Sequence, residues 1–164
     1  MKSALILIDI QNDYFPGGKN ELYHAEQAGA CARKVLDYYR INKLPVFFIQ
    51  HVSDASSNFF VPNTEGVNIH PCVAPRTDEK VIIKHTPSSF LGTTLLEELQ
   101  KLKITDFVLA GMMSHMCVDT TVRAARDLGF SNTLLEDACT TCDMVRQDIR
   151  IPAETVHNAF MGSL

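Results

Sequence analysis

Three side chains that could act together in catalysis each follow a short apolar run. Asp9 follows Ala4–Ile8, Lys84 follows Val81–Ile83, and Cys117 lies shortly after Phe107–Ala110. Parallel strands end at one edge of a sheet, and ligands bind at that edge in open α/β folds. A thiol with an acid and an ammonium nearby is a typical arrangement for nucleophilic catalysis.

Each of the three residues also has a purely structural interpretation. Asp9 could cap the turn that follows it, and Lys84 could extend to water along apolar surface. Cys117 could be a small buried side chain, since free cysteine is among the most buried residue types.

The segment after Cys117 has the spacing of an amphipathic helix. Val118, Val122, Ala125 and Leu128 fall on one face, and Gly129 provides a C-terminal stop. Cys117 is therefore expected in a strand-to-helix turn, near the positive end of the helix dipole. A thiol placed there should ionise more readily than a free one.

Two further features could bind metal or carry redox chemistry. His51 ends a predicted strand, but no second ligand lies at metal-binding spacing, so we expect no metal there. Cys139 and Cys142 form a C-x-x-C motif. A zinc site needs a second ligand pair, and a thioredoxin-type motif should begin a helix in the first βαβ unit. A redox role remains an alternative.

The apolar runs and helical patterns alternate along the chain. They predict a three-layer α/β fold with a doubly wound parallel sheet of five to six strands. That strand order makes the first strand and the strand before Cys117 neighbours. The predicted strands are Ala4–Ile8, Val46–Ile49, Val81–Ile83, Phe107–Ala110 and Thr133–Leu135, and the predicted helices span residues 21–43, 94–103, 118–128 and 152–164.

The segment 52–78 has no clear periodicity and is rich in Ser, Asn, Pro and Gly. A loop of this length in a compact domain is usually a lid, a pocket wall or a subunit contact.

Length and composition limit the possible functions. The 164 residues are expected to form one domain over residues 1–164, and the net charge of −4 argues against a nucleic-acid partner. No apolar run approaches the ~20 residues that a membrane helix needs. Five irregularly spaced cysteines and an N-terminus without signal-peptide features favour a reduced, cytoplasmic protein.

Three motifs in order resemble the isochorismatase-like cysteine hydrolases, a superfamily with a Rossmann-like fold. They are residues 7–15 (LIDIQNDYF), Lys84 with the following Ser89 and Phe90, and residues 111–125 (GMMSHMCVDTTVRAA). The resemblance implies a catalytic triad of Asp9, Lys84 and Cys117. It also implies a cis peptide between Met112 and Met113, with the backbone N–H groups of Met113 and Cys117 as the oxyanion hole.

The resemblance further implies the reaction and the assembly. The presence of Cys117 favours hydrolysis of an amide or carbamoyl C–N bond through a thioester, without a cofactor. Hydrolysis of an enol ether, as in isochorismatase, and a non-catalytic or redox role are the alternatives. A homodimer or homotetramer is expected, and a sixth strand is usual after the last helix. The zinc cluster that nicotinamidases carry after the second strand is missing from residues 51–57, so neither a metal nor nicotinamide is expected.

Position in the chain selects the substrate-binding candidates, but the residues do not name the substrate. The candidates are Phe15, His51, Phe59, Ser89, Met112 and His115.

Overall fold

A computed structural model describes residues 3–164, and its centre is a parallel sheet of five strands in the order β3-β2-β1-β4-β5. The strands are β1 (Ser3–Ile8), β2 (Val46–His51), β3 (Lys80–Lys84), β4 (Asp106–Met112) and β5 (Ser131–Thr140). The helices are α1 (Ala25–Ile41), α2 (Leu95–Lys101), α3 (Asp119–Asp127) and α4 (Ala153–Met161). The predicted α/β fold with a doubly wound parallel sheet is confirmed.

Two apolar cores cover the two faces of the sheet. Leu5 and Leu7 of β1 face one core together with Ala32 and Leu36 of α1. The alternate β1 residues face the other core, which α2 and α3 complete. Because β1 is buried on both faces, its sequence is a continuous apolar run and does not alternate with polar residues.

The direction of winding reverses between β1 and β4, which pair side by side with Ile8 opposite Gly111. A β-carbon on Gly111 would lie 2.1 Å from the Ile8 carbonyl oxygen, so only glycine allows this approach. On the other side of β1, β2 pairs with β3, and His51 lies opposite Lys84. These pairings bring Asp9, His51 and Lys84 to the same edge of the sheet.

Several boundaries differ from the prediction. The first helix begins at Ala25 and not at residue 21. The strand β5 spans Ser131–Thr140 and is longer at both ends than the predicted Thr133–Leu135. An antiparallel hairpin of β6 (Met144–Arg146) and β7 (Ile149–Ile151) precedes α4, and the sequence pattern did not predict it.

The long segment after β2 contains two short 3-10 turns, Glu65–Val67 and Pro71–Val73. None of the helices within residues 3–164 has the length and apolar composition needed to cross a bilayer.

Candidate active site

Asp9, Lys84 and Cys117 converge at the carboxyl ends of β1, β3 and β4. The Lys84 Nζ lies 2.8 Å from Asp9 Oδ2 and 3.2 Å from Cys117 Sγ. Their exposed fractions are 0%, 1% and 6%, respectively. Lys84 therefore does not extend to water, and the structural interpretation of that residue is wrong.

Local backbone geometry places each of the three groups. Asp9 adopts a φ of 52°, which is uncommon for residues other than glycine, and its N–H donates to the Ile49 carbonyl at 3.0 Å. Lys84 is the last residue of β3. Cys117 lies in a π-helical turn, Ser114–Val118, which joins β4 to α3 and is called the Cys117 turn below.

The Lys84 ammonium also has two partners besides the acid and the thiol. His51 Nδ1 and the Thr86 carbonyl oxygen each lie 3.0 Å from Nζ. Burial lowers the pKa of Lys84, but the negative charges of Asp9 and Cys117 outweigh it, so the net shift is upward. Lys84 is therefore charged throughout the physiological pH range.

The Asp9 carboxylate can accept a proton. Burial raises its pKa, and the Lys84 charge offsets that effect only in part. Within residues 3–164, both carboxylate oxygens lack a hydrogen bond of good geometry beyond the ion pair with Lys84. A buried carboxylate with free lone pairs is suited to act as a general base.

The Cys117 thiol is less acidic than the sequence suggested. Burial and then the Asp9 charge raise its pKa, and the Lys84 ammonium compensates only in part. The expectation of a lowered thiol pKa is therefore wrong for the free protein, because desolvation outweighs the helix dipole. Ionisation of Cys117 needs a base, and Asp9 is the neighbouring group that can accept the proton.

A metal ion does not suit this cluster. Ligand atoms of Asp9, His51 and Cys117 lie within 4.8 Å of one another, which is a possible metal-binding set. However, the Lys84 ammonium already contacts all three groups, at 2.8–3.2 Å. A divalent cation there would lie against a buried positive charge, so the arrangement fits an ammonium better than a metal.

The two cysteines of the C-x-x-C motif lie in different surroundings. All five cysteines in the described chain are free thiols. Cys139 is buried in β5, and burial raises its pKa to about 12. The Cys142 Sγ lies 3.8 Å from the Met113 sulfur.

The peptide bond between Met112 and Met113 is cis.

Of the six substrate-binding candidates, His51 contacts Lys84 and therefore adjoins the group formed by Asp9, Lys84 and Cys117. Ser89 is fully buried and its hydroxyl bonds to Thr121. Met112 is buried in the core, and His115 bonds to Thr141.

The two candidate phenylalanines lie in the loops beside the sheet edge. Phe59 packs against Tyr14 and Phe60. Phe15 stacks on His70 at 3.6 Å and lines a cavity of about 470 Å³, whose walls do not include Asp9, Lys84 or Cys117. Contact with substrate remains a prediction for all six candidates.

Sequence reasoning missed several residues that support the site. Gln11 is fully buried and hydrogen-bonds to the backbone of His51. The Ser89 N–H donates to Thr121 Oγ1 of α3, and this hydrogen bond ties the loop after Lys84 to that helix. In the same way, Ser114 Oγ is hydrogen-bonded to His157 Nδ1 of α4. Only Gln11 had a sequence signal, since it lies two residues after Asp9, just past the end of the first strand.

The sequence profile of the isochorismatase domain matches residues 3–153. The chain belongs to the isochorismatase family. Members of this family are hydrolases, amidases among them, and this protein is a hydrolase of the family.

Similar proteins support the family assignment. An uncharacterised isochorismatase family protein of Bacillus subtilis, YddQ, is 48% identical over 165 residues, which span 100% of this chain and 92% of the relative. A putative isochorismatase hydrolase from Oleispira antarctica superposes with a TM-score of 0.94 at 41% identity, covering 99% of this chain and 88% of the other. N-carbamoylsarcosine amidase from Thermoplasma acidophilum superposes with a TM-score of 0.80 at 26% identity, covering 90% and 87%, respectively.

Proposed function

We propose that this isochorismatase-family hydrolase cleaves the C–N bond of a small amide or carbamoyl compound through a thioester. The observation that carries the proposal is the buried contact of the Lys84 ammonium with both Asp9 and Cys117. The structural similarity to N-carbamoylsarcosine amidase supports a C–N bond as the target.

The reaction begins when Asp9 takes the proton of the Cys117 thiol. The Lys84 ammonium stabilises the thiolate, which attacks the carbonyl carbon of the substrate. The carbonyl oxygen becomes an oxyanion, and we assign its stabilisation to the backbone N–H groups of Met113 and Cys117. Each such donor contributes about 3–4 kcal/mol in comparable enzymes.

Collapse of the tetrahedral intermediate breaks the C–N bond. The proton held by Asp9 moves to the departing nitrogen, which leaves as ammonia or an amine. Water then attacks the thioester and gives its proton to Asp9. The C–S bond breaks, the acid product leaves, and the thiol is restored.

The first test is an activity screen against primary amides, ureides and carbamates, with ammonia release as the measurement. The variants are Cys117→Ala and, as a matched control, Cys31→Ala, which removes a partly buried thiol of α1. We expect Cys117→Ala to lower turnover by about 10⁴-fold or more, because it removes the nucleophile. The Cys31→Ala variant should keep the wild-type rate.

Retention of ammonia release in Cys117→Ala would contradict the mechanism. If the wild type cleaves an enol ether but none of the amides, the proposed bond is wrong and the family assignment stands. Intact-mass analysis during turnover should show a covalent acyl adduct on the wild type.

We also propose that the protein is a homodimer or homotetramer. Light scattering coupled to gel filtration measures this directly, and a monomer at micromolar concentration would contradict it.

A further inference from the structure

The Lys84 ammonium has more acceptors around it than hydrogens to donate. An ammonium carries three N–H groups. Its neighbours are Asp9 Oδ2, His51 Nδ1, the Thr86 carbonyl oxygen and Cys117 Sγ, at 2.8, 3.0, 3.0 and 3.2 Å. A protonated thiol is the weakest acceptor of the four. In the free protein the three hydrogens therefore go to Asp9, His51 and Thr86.

This assignment fixes the state of the His51 imidazole. Nδ1 can accept from an ammonium only if it carries no proton, so the ring is neutral with its proton on Nε2. Burial, followed by the charges of Lys84 and His85, lowers the pKa of His51 to about 4. Asp9 and Cys117 each place a ligand atom within 4.8 Å of a ring nitrogen of His51, and Tyr14 lies near enough for the charges of both to raise its pKa.

The backbone of His51 is held from both sides by one buried carboxamide. Gln11 Nε2 donates to the His51 carbonyl, and the His51 N–H donates to Gln11 Oε1, each at 2.8 Å. The same Gln11 Nε2 also donates to the Val67 carbonyl at 2.7 Å, and Gln50 Nε2 reaches that carbonyl at 2.9 Å. The position of His51 is therefore fixed independently of its contact with Lys84.

We propose that His51 is a positioning residue for the hydrolysis proposed above, on which this inference rests. Its Nδ1 and the Thr86 carbonyl oxygen hold two ammonium hydrogens of Lys84 throughout the reaction. When the proton moves from Cys117 to Asp9, the neutral acid becomes a weaker acceptor and the thiolate a stronger one, so the third hydrogen passes from Asp9 to Cys117 Sγ. No covalent bond changes at Lys84 or His51 in this exchange.

The first experiment is ¹⁵N NMR of the intact protein labelled at histidine, which needs no substrate. We expect His51 to be the Nε2–H tautomer and to remain neutral down to about pH 5. A proton on Nδ1, or titration near the ordinary value of about 6.5, would overturn the proposal. This outcome is separate from the proposed function, because it is decided whether or not the protein cleaves any amide.

The second experiment compares His51→Asn with His51→Leu. Both side chains branch at the γ-carbon, but only Asn places an acceptor near the position of Nδ1. We expect His51→Leu to lower kcat by about 10- to 100-fold with little change in KM, because Lys84 loses a hydrogen bond that holds its ammonium beside the thiolate. His51→Asn should restore most of that loss.

The matched control is His85→Leu. His85 is an exposed histidine that follows Lys84 and bonds to the Val52 carbonyl, so its removal should leave kcat near the wild-type value. Equal losses in His51→Asn and His51→Leu would show that the imidazole does not act as an acceptor. A rise in KM alone would instead identify His51 as a substrate-binding residue.

Discussion

Asp9 and Lys84 form an ion pair from which water is excluded, since both side chains are fully buried. Burial of two charges is costly, and their attraction offsets that cost only when the geometry is good. Removal of one partner leaves the other charge buried without compensation. The pair therefore links the stability of the fold to the proposed chemistry.

A double-mutant cycle tests this link. We expect Asp9→Asn and Lys84→Met each to lower the free energy of unfolding by about 3–5 kcal/mol, because each leaves an unpaired charge. The double variant should lose clearly less than the sum of the two, because it removes both charges. Urea denaturation measures all four proteins.

Additive losses in that cycle would show that the two residues do not interact. Asp9→Asn and Lys84→Met should also abolish ammonia release, singly and together, because the base or the stabilising charge is missing. A double variant that regains stability without regaining activity separates folding from catalysis.

The Cys117 turn depends on the C-terminal helix. Ser114 Oγ, which is fully buried, lies 2.7 Å from His157 Nδ1 of α4. The adjacent His115 packs edge-on against Phe160, also of α4, with 5.9 Å between ring centroids. The position of the nucleophile is therefore set by α4 as well as by β4 and α3, which flank the turn.

Ser114→Ala tests the contribution of α4. We expect a loss of about 1 kcal/mol in stability, because the hydrogen bond between the buried Ser114 hydroxyl and the half-buried His157 ring is removed. We also expect kcat to fall by a larger factor than the factor by which KM changes. Ser163→Ala is the matched control, since Ser163 is exposed and bonds to Arg123 and the Phe160 carbonyl. Equal effects of the two substitutions on unfolding and turnover would contradict the role of α4.

Burial shifts the pKa of four of the six histidines in one direction. The pKa values of His51, His70, His115 and His157 are all lowered, with desolvation as the largest cause. The unfolded chain takes up protons near pH 6.5 at these positions, and the folded protein takes them up at lower pH. Folding stability must therefore fall as the pH drops below 6.5. The raised pKa of Asp9 acts in the opposite direction and offsets part of this effect.

The expected result is a Tm about 5 °C lower at pH 5 than at pH 7, measured by calorimetry at constant ionic strength. In His51→Asn the difference between the two pH values should be smaller, because the histidine with the largest shift is gone. A Tm that is unchanged or higher at pH 5 would show that the histidines do not control stability in this range.

The sequence alone determined the order of strands and helices and the three residues at the strand ends. Apolar runs such as Ala4–Ile8 report burial on both faces of a strand, and parallel strands end at one edge. These local signals predicted that Asp9, Lys84 and Cys117 meet. They did not predict β6 and β7, because short exposed strands carry no strong pattern.

Only the tertiary structure decided the electrostatics of the site. The pKa of Cys117 depends on how much water the packed chain excludes and on the distances to Asp9 and Lys84. The roles inferred for His51 and Gln11 likewise depend on contacts between segments far apart in sequence. Desolvation and hydrogen-bond geometry arise from the packing of the whole chain, so the pattern of any single segment does not contain them.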